Sequence, residues 1–326
     1  MLKVGSDFSG VGAFECSLNR LKIDYINVFA CEQDKYARET YLLNHDKPLN
    51  YFKDVYKRKI PEQSLDLYMT SPPCQSFSLA GKKLGKEDKR GILFFNSLEF
   101  IKKNRPKFFI IENVTGLMHI ENGAIFDEWL YHLGGKSING LPVLFPAEDS
   151  AKYHVYYRVL NAKNFGVAQN RDRVFIVGIR DDQDNVFQYP KEIPLTKKLK
   201  NYLQRDVEKK YFLRKEYADT FVMEKNYYHN NCVGNIHPSG NGMSGKVYSI
   251  EGIAPTVTTN KGEGIKIISY NNGVEYIRRL TPHECFLLMD FPEDFKFNCS
   301  NNQAYKQSGN SIVVACLSEL IKKLKL

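Results

Sequence analysis

Cys74 lies in Ser71-Pro72-Pro73-Cys74-Gln75-Ser76, directly after the apolar run Leu65-Asp66-Leu67-Tyr68-Met69-Thr70. A thiol on a stiff Pro-Pro turn at the end of a buried strand faces a cleft rather than a core, which suits a nucleophile. A second run, Lys107-Phe108-Phe109-Ile110-Ile111, delivers Glu112-Asn113-Val114. A lone Glu is ordinarily a surface or helix-cap carboxylate. Beside apolar strand residues, however, a carboxyl is harder to ionise and is suited to donate a proton. If the strands run parallel, thiol and carboxyl face one cleft.

A third constellation suits a nucleoside. The first apolar run ends in Asp7-Phe8-Ser9-Gly10-Val11-Gly12-Ala13-Phe14-Glu15, where glycines let the backbone approach a ligand and open a helix. A dinucleotide fingerprint wants a third Gly or Ala where Glu15 stands, which disfavours a nicotinamide cofactor. Glu32, at the end of the second run, stands where a ribose diol is gripped, and Asp54 could reach an adenine amino group. A nucleoside cofactor without a pyrophosphate satisfies both, and S-adenosylmethionine is the obvious candidate.

Positioning these groups requires strands ending at one edge. Candidate strands are Leu2 to Phe8, Tyr25 to Ala30, Leu65 to Thr70, Lys107 to Glu112, Tyr153 to Leu160 and Arg173 to Ile179. Apolar residues recur at helical spacing in Gly12 to Leu21, Lys35 to Asn44, Ile92 to Asn104 and Ala124 to Leu133. Alternation of this kind predicts an α/β fold with a mostly parallel, doubly wound sheet and its ligand site at the strand C-terminal ends. Residues 181 to about 275 are charged, Tyr-rich and Gly-rich, as in a smaller, irregular domain. Ser311 to Lys323 returns to a helical stripe and is expected to pack on the first domain. The division expected is 1–180 plus 303–326 for the larger domain and 181–302 for the smaller one with its hinge.

With 326 residues, 43% hydrophobic and 25% charged, the chain can bury a substantial core. No apolar stretch approaches the roughly 20 residues of a membrane span, and no apolar signal segment precedes the first strand, so a cytoplasmic protein is expected. Seven scattered cysteines without a C-x-x-C pair argue against a disulfide framework or a zinc ribbon. His229, Cys232 and His237 lack a fourth ligand, and no metal is expected. Net charge is +9, with basic residues concentrated in Lys82 to Arg90 and in Lys191 to Lys225. Such loops suit a polyanion, although a solvated surface explains them as well.

Six segments together carry a resemblance. Asp7-Phe8-Ser9-Gly10-Val11-Gly12, Pro72-Pro73-Cys74-Gln75-Ser76-Phe77-Ser78, Glu112-Asn113-Val114, Gln169-Asn170-Arg171-Asp172-Arg173, Arg278-Arg279-Leu280-Thr281-Pro282-His283-Glu284-Cys285 and Gln307-Ser308-Gly309-Asn310-Ser311 resemble, in order, the motifs of DNA (cytosine-5-)-methyltransferases. Length and spacing are similar to the compact bacterial HhaI-type enzymes. The resemblance implies a Rossmann-like, AdoMet-dependent methyltransferase fold with a target-recognition domain, acting as a monomer on double-stranded DNA.

It also implies roles. Cys74 would attack carbon 6 of a cytosine swung out of the duplex, Glu112 would hold ring nitrogen 3 and the exocyclic amine, Arg173 would contact the flipped nucleotide, and Arg171 would support the catalytic loop. The stretch from Ser76 to Gly91 would be a lid over the base. Gln75, Ser78, Lys82, Arg90 and Thr256 would meet DNA, the last from Ala254-Pro255-Thr256-Val257-Thr258. The cofactor pocket would comprise Phe8 under the adenine, Ser9, Gly10 and Val11 by backbone, Glu32, Gln33 in place of a frequent aromatic, Asp54, Val55, Pro73, Leu93, Asn310 and Ser311. The insertion Gly134 to Pro142 has no counterpart role. A restriction-modification or solitary phage setting is implied, and the rivals are RNA cytosine methylation and a binding protein without turnover.

Overall fold

Short runs of apolar and β-branched residues bounded by glycine, proline or charge set the strands of a nine-stranded sheet. The computed structural model describes residues 1–73, 92–223, 231–236, 245–259, 264–271 and 274–326. The chain divides into two units, one of residues 1–160, 172–190 and 317–326, the other of residues 161–171 and 191–316. These bounds differ from the sequence-based division: 161–171 and 303–316 fall with the second unit, and 181–190 with the first.

The first unit contains β1 (Leu2–Asp7), α1 (Ala13–Arg20), β2 (Tyr25–Cys31), α2 (Lys35–Asn44), β3 (Asn50–Phe52), β4 (Leu67–Thr70), α3 (Ile92–Asn104), β5 (Phe108–Val114), α4 (Ala124–Leu133), β6 (Ser137–Ile138), β7 (Leu141–Pro142), β8 (Tyr153–Asn161) and β9 (Asp172–Arg180). The sheet order is β3-β2-β1-β4-β5-β9-β8-β6-β7. β1 to β5 pair in parallel, and β9 runs antiparallel to β5. The order reverses between β1 and β4, the topological switch point at which open α/β sheets hold ligands. Within the insertion Gly134 to Pro142, β6 and β7 form a hairpin turning at Asn139 and Gly140, both with positive φ.

Helices cover the sheet because their apolar faces have nowhere else to go. Phe94 of α3 stacks on Trp129 of α4 with ring centroids 3.7 Å apart, and Leu98, Phe100, Ile101, Phe126 and Leu130 join β4 and β5 in one buried cluster. Each such side chain contributes about 2–3 kcal/mol of burial.

The second unit is more ordered than its composition suggests. It contains α5 (Lys215–Ala218), β10 (Val222–Met223), β11 (Cys232–Asn235), β12 (Lys246–Ser249), β13 (Lys266–Asn271), β14 (Val274–Arg279), α6 (Pro282–Leu288) and α7 (Asn301–Asn310). The strands form a five-stranded sheet in chain order, where the sequence pattern had predicted irregular structure. α8 (Val314–Ile321) spans the division. Among the described residues no helix is long and apolar enough to cross a membrane.

Candidate active site

Strand register lines up the site. Cys31 pairs with both Phe52 and Asp7, Asp7 with Thr70, and Thr70 with Ile111. The residues one step beyond, Phe8, Glu32, Lys53, Ser71 and Glu112, therefore emerge side by side from one edge. Antiparallel β9 begins at that same edge and sets Arg173 opposite Val114, two residues from Glu112 on the same face.

At the β1 end the backbone bends sharply. Phe8 has a φ of 56°, an unfavoured value for a non-glycine residue, and Gly10 and Gly12 have φ of 55° and 90°. Gly12 admits no Cβ, which would come within 2.2 Å of the His45 Nε2, whereas the space around Gly10 is open. Glu32 bridges two loops: its Oε2 accepts from Gly10 N at 2.9 Å and its Oε1 from Asp34 N at 2.7 Å. Burial pushes the Glu32 carboxyl up from the ordinary range, against those amide hydrogen bonds. Asp54 Oδ1 accepts from Tyr56 N at 2.9 Å and closes a turn that leaves Val55 buried. Each carboxylate oxygen keeps a free lone pair for a diol or an amine. Gln33 is exposed, its carbonyl accepting from Arg38 Nη1 at 2.7 Å; Val11 is buried, and Leu93 is half-buried in the first turn of α3. An open glycine face between two strand-end carboxyls fits a nucleoside.

Two strands further along the edge from β1, Glu112 is held at both oxygens. The Ser71 hydroxyl donates to Oε2 at 2.6 Å, and Arg173 Nε lies 3.1 Å from Oε1. The apolar setting expected from the Phe-Phe-Ile-Ile run is thus corrected: β9 arrives antiparallel and brings a guanidinium to the carboxylate. Asn113 donates from Nδ2 to the Pro72 carbonyl at 2.9 Å, and Pro73 follows, exposed. Together Glu112 and Asn113 fasten the two residues that lead towards Cys74. Cys74 itself lies outside the described residues, as do Gln75, Ser78, Lys82, Arg90 and the whole proposed lid.

The remaining site residues belong to the second unit. Arg171, almost fully buried, donates to the carbonyls of Val257 at 2.7 Å, Gly309 at 2.9 Å and Ser311 at 2.8 Å. It thereby holds the carbonyls of the residues on either side of Asn310, which is exposed, while Ser311 is buried. Gly309 packs so closely that a Cβ would meet the Thr258 carbonyl carbon at 2.4 Å. The Thr256 hydroxyl, read as facing DNA, donates to the Asn170 carbonyl at 2.7 Å. Cys232 sits buried in β11, and His229 and His237 lie outside the described residues.

Ser71 directly precedes the Pro72 to Ser78 motif and Asn113 lies within Glu112-Asn113-Val114, yet neither had been expected to play a role; a hydroxyl three residues before the thiol was the available signal. Arg58, in Lys57-Arg58-Lys59, looks like solvated charge and is buried instead, its Nε 2.8 Å from Asp7 Oδ1. No local pattern marks it.

Residues 2–326 match the model of the C-5 cytosine-specific DNA methylase family. The chain belongs to that family. It is 33% identical to the type II methyltransferase M.HhaI of Haemophilus parahaemolyticus over 95% of this chain and 90% of that one. It is 32% identical to the orphan methyltransferase M.SPRI of Bacillus phage SPR, over 99% and 97% of the two chains. Among solved structures, the S. pombe Dnmt2 methyltransferase superposes with a TM-score of 0.72 at 20% identity, covering 98% of this chain and 97% of that one, a likeness of fold. Family membership gives the nine-stranded sheet its context as a methyltransferase fold.

Proposed function

We propose that this chain methylates carbon 5 of cytosine in duplex DNA, with S-adenosylmethionine as donor and Cys74 as nucleophile. The observation that carries the reading is Glu112, fixed by Ser71 and Arg173 beside the Asn113-anchored Pro72, two residues from Cys74 in the chain. Carbon 5 of cytosine is too weak a nucleophile to be methylated unaided. The Cys74 thiolate adds to carbon 6 and makes the ring enamine-like. Glu112, its oxygens already oriented, holds ring nitrogen 3 and the exocyclic amine as charge redistributes. Arg173 keeps that carboxylate in place and reaches the flipped nucleotide. Bound donor would supply an electrophilic methyl group. Phe8, Gly10, Val11, Glu32, Asp54 and Val55 would hold its adenosine, with Ser9, Gln33, Pro73 and Leu93 completing that wall of the pocket. Loss of the proton on carbon 5 then expels Cys74 as thiolate. The base must leave the stack first, and the basic stretch from Ser76 to Gly91, with Gln75, Ser78, Lys82 and Arg90, would close over it.

The test is incubation with duplex containing 5-fluorocytosine and S-adenosylmethionine. A covalent complex stable to denaturant is expected, and none with Cys74→Ala, which should still bind duplex. A folded wild-type chain that forms no adduct defeats the proposal. Running transfer RNA in parallel separates the DNA reading from the RNA one; the 33% identity to a type II methyltransferase favours DNA and a restriction-modification setting.

A further inference from the structure

We propose that Arg58 is a positioning residue of the donor site: its ion pair with Asp7 fixes the Asp54-Val55 turn against the end of β1, and so sets how well the site grips an adenine ring. The inference rests on the reading of that cleft as an adenosine site.

The geometry behind it is local. After Phe52 the chain leaves β3 and runs to Leu67 without helix or strand. Its upstream end is held where Glu32 N donates to the Phe52 carbonyl at 3.0 Å. The turn closes on itself, with Lys57 N donating to the Asp54 carbonyl at 3.1 Å and Tyr56 N to Asp54 Oδ1. Neither bond ties the turn to the wall opposite. Arg58, one residue beyond, does: its Nε is 2.8 Å from Asp7 Oδ1, with side-chain exposures of 3% and 0%. The guanidinium lies 4.6 Å from the Phe100 ring centroid and 5.7 Å from that of Phe29, and Tyr68 donates to Asp7 Oδ2 at 2.7 Å. Asp7 directly precedes Phe8 and the glycine loop. One ion pair therefore couples the two walls of the cleft, the loop after β1 and the turn after β3.

Burial of such a pair contributes little net stability compared with an apolar pair of the same volume. What an apolar pair lacks is a charge-to-charge contact held at one separation. Arg58 meets Asp7 through Nε alone, as a buried ion pair packed on Phe100, and a displacement of the Asp54 carboxyl by a fraction of an ångström weakens a hydrogen bond to the amino group of adenine.

The experiment is calorimetric titration of the full chain with S-adenosylhomocysteine and with its hypoxanthine analogue, which lacks the amino group. The wild type should prefer the adenine form. Arg58→Met alone strands a buried carboxylate, so the main variant is Asp7→Asn/Arg58→Met, which removes both charges and should melt near the wild type. Its affinity for the adenine form should fall about tenfold, with the preference over hypoxanthine shrinking towards one. A folded double variant with wild-type affinity, or with equal losses for both ligands, overturns the proposal. Should it not fold, Arg58→Lys decides by the same ratio, since lysine keeps the charge and loses the planar group that packs on the Phe100 ring. A wild-type chain that binds neither ligand overturns the donor-site reading itself and this inference with it.

Discussion

Two carboxylate-guanidinium pairs stand on the same edge of one sheet and differ above all in their access to solvent. Asp7 and Arg58 meet at 2.8 Å with the arginine side chain 3% exposed; Glu112 and Arg173 meet at 3.1 Å with the arginine 17% exposed. The other oxygen of each acid accepts from one hydroxyl, of Tyr68 or of Ser71. Arg58 is roofed by Phe100 and Phe29, so its partner cannot change, whereas Arg173 also donates to the Asp172 carbonyl and stays within reach of solvent. The closed pair can hold only geometry. The open pair can exchange a hydrogen bond with an incoming base, and that is what chemistry at Glu112 requires.

The comparison breaks if both pairs respond alike to removal. Glu112→Gln should lower single-turnover methyl transfer by about a thousandfold, within the range for a positioned acid or base, while thermal melting moves little. Arg58→Met should do the reverse and cost about 3–4 kcal/mol in urea unfolding, because Asp7 is left buried without its cation. Burial already pushes the Asp7 carboxyl above its ordinary 3.8, with Arg58 and Tyr68 pulling the other way. A raised folded pKa means stability is full below the unfolded value and is lost as pH rises. The Arg58→Met deficit should therefore be larger at pH 8 than at pH 5. A flat deficit would show that Asp7 is not the stranded group.

A third buried carboxyl sharpens the contrast, because an amide takes the place of the guanidinium. Glu15 Oε1 accepts from Asn27 Nδ2 at 3.1 Å, and burial pushes it from 4.5 up to about 7. Nearby His45 is driven the other way by burial, from 6.5 to about 4. Glu15 contributes stability below pH 4.5 that is lost through pH 7; His45 contributes above pH 6.5 and is lost on acidification through pH 4. The two slopes oppose each other between these values. Glu15→Gln removes one of them, so the variant should match the wild type in acid and exceed it at pH 8 by at most about 3 kcal/mol. Relative to the wild type, its stability should fall less with pH between about 4.5 and 7. Melting curves from pH 4 to 8 measure both, and a variant no more stable than wild type at pH 8 contradicts the assignment.

What the sequence revealed follows from what local patterns encode. Apolar runs located β1, β2, β4, β5, β8 and β9, and the glycine loop and Glu32 stood at their ends as expected. The direction of β9 was not readable, because Val174-Phe175-Ile176-Val177 is the same apolar run in either sense; only pairing to β5 fixes it. β3 is three residues, one exposed and two half-buried, too short for a periodicity, and β11 is interrupted by Gly234. The second sheet was therefore missed, since its strands gain their order from each other. Ser71, Asn113 and Arg58 escaped because their partners lie 41 and 51 positions away in sequence.

Asn113 gives the finest test of the distinction. It neighbours the open pair, yet its own bond resembles the closed one: buried Nδ2 to the Pro72 carbonyl, 2.9 Å, with Oδ1 accepting from Val114 N at 2.8 Å. If the bond only braces the fold, Asn113→Ala should cost about 1–2 kcal/mol of stability, the usual consequence of a lost buried hydrogen bond, and leave the rate constant for adduct formation unchanged. If it aims Pro72-Pro73, and through them the thiol, the stability loss should be accompanied by an adduct rate on 5-fluorocytosine duplex about tenfold lower, with S-adenosylhomocysteine affinity intact. The second outcome is expected, because a proline pair transmits its orientation stiffly to the next residue, and a free Pro72 carbonyl would let that turn rotate.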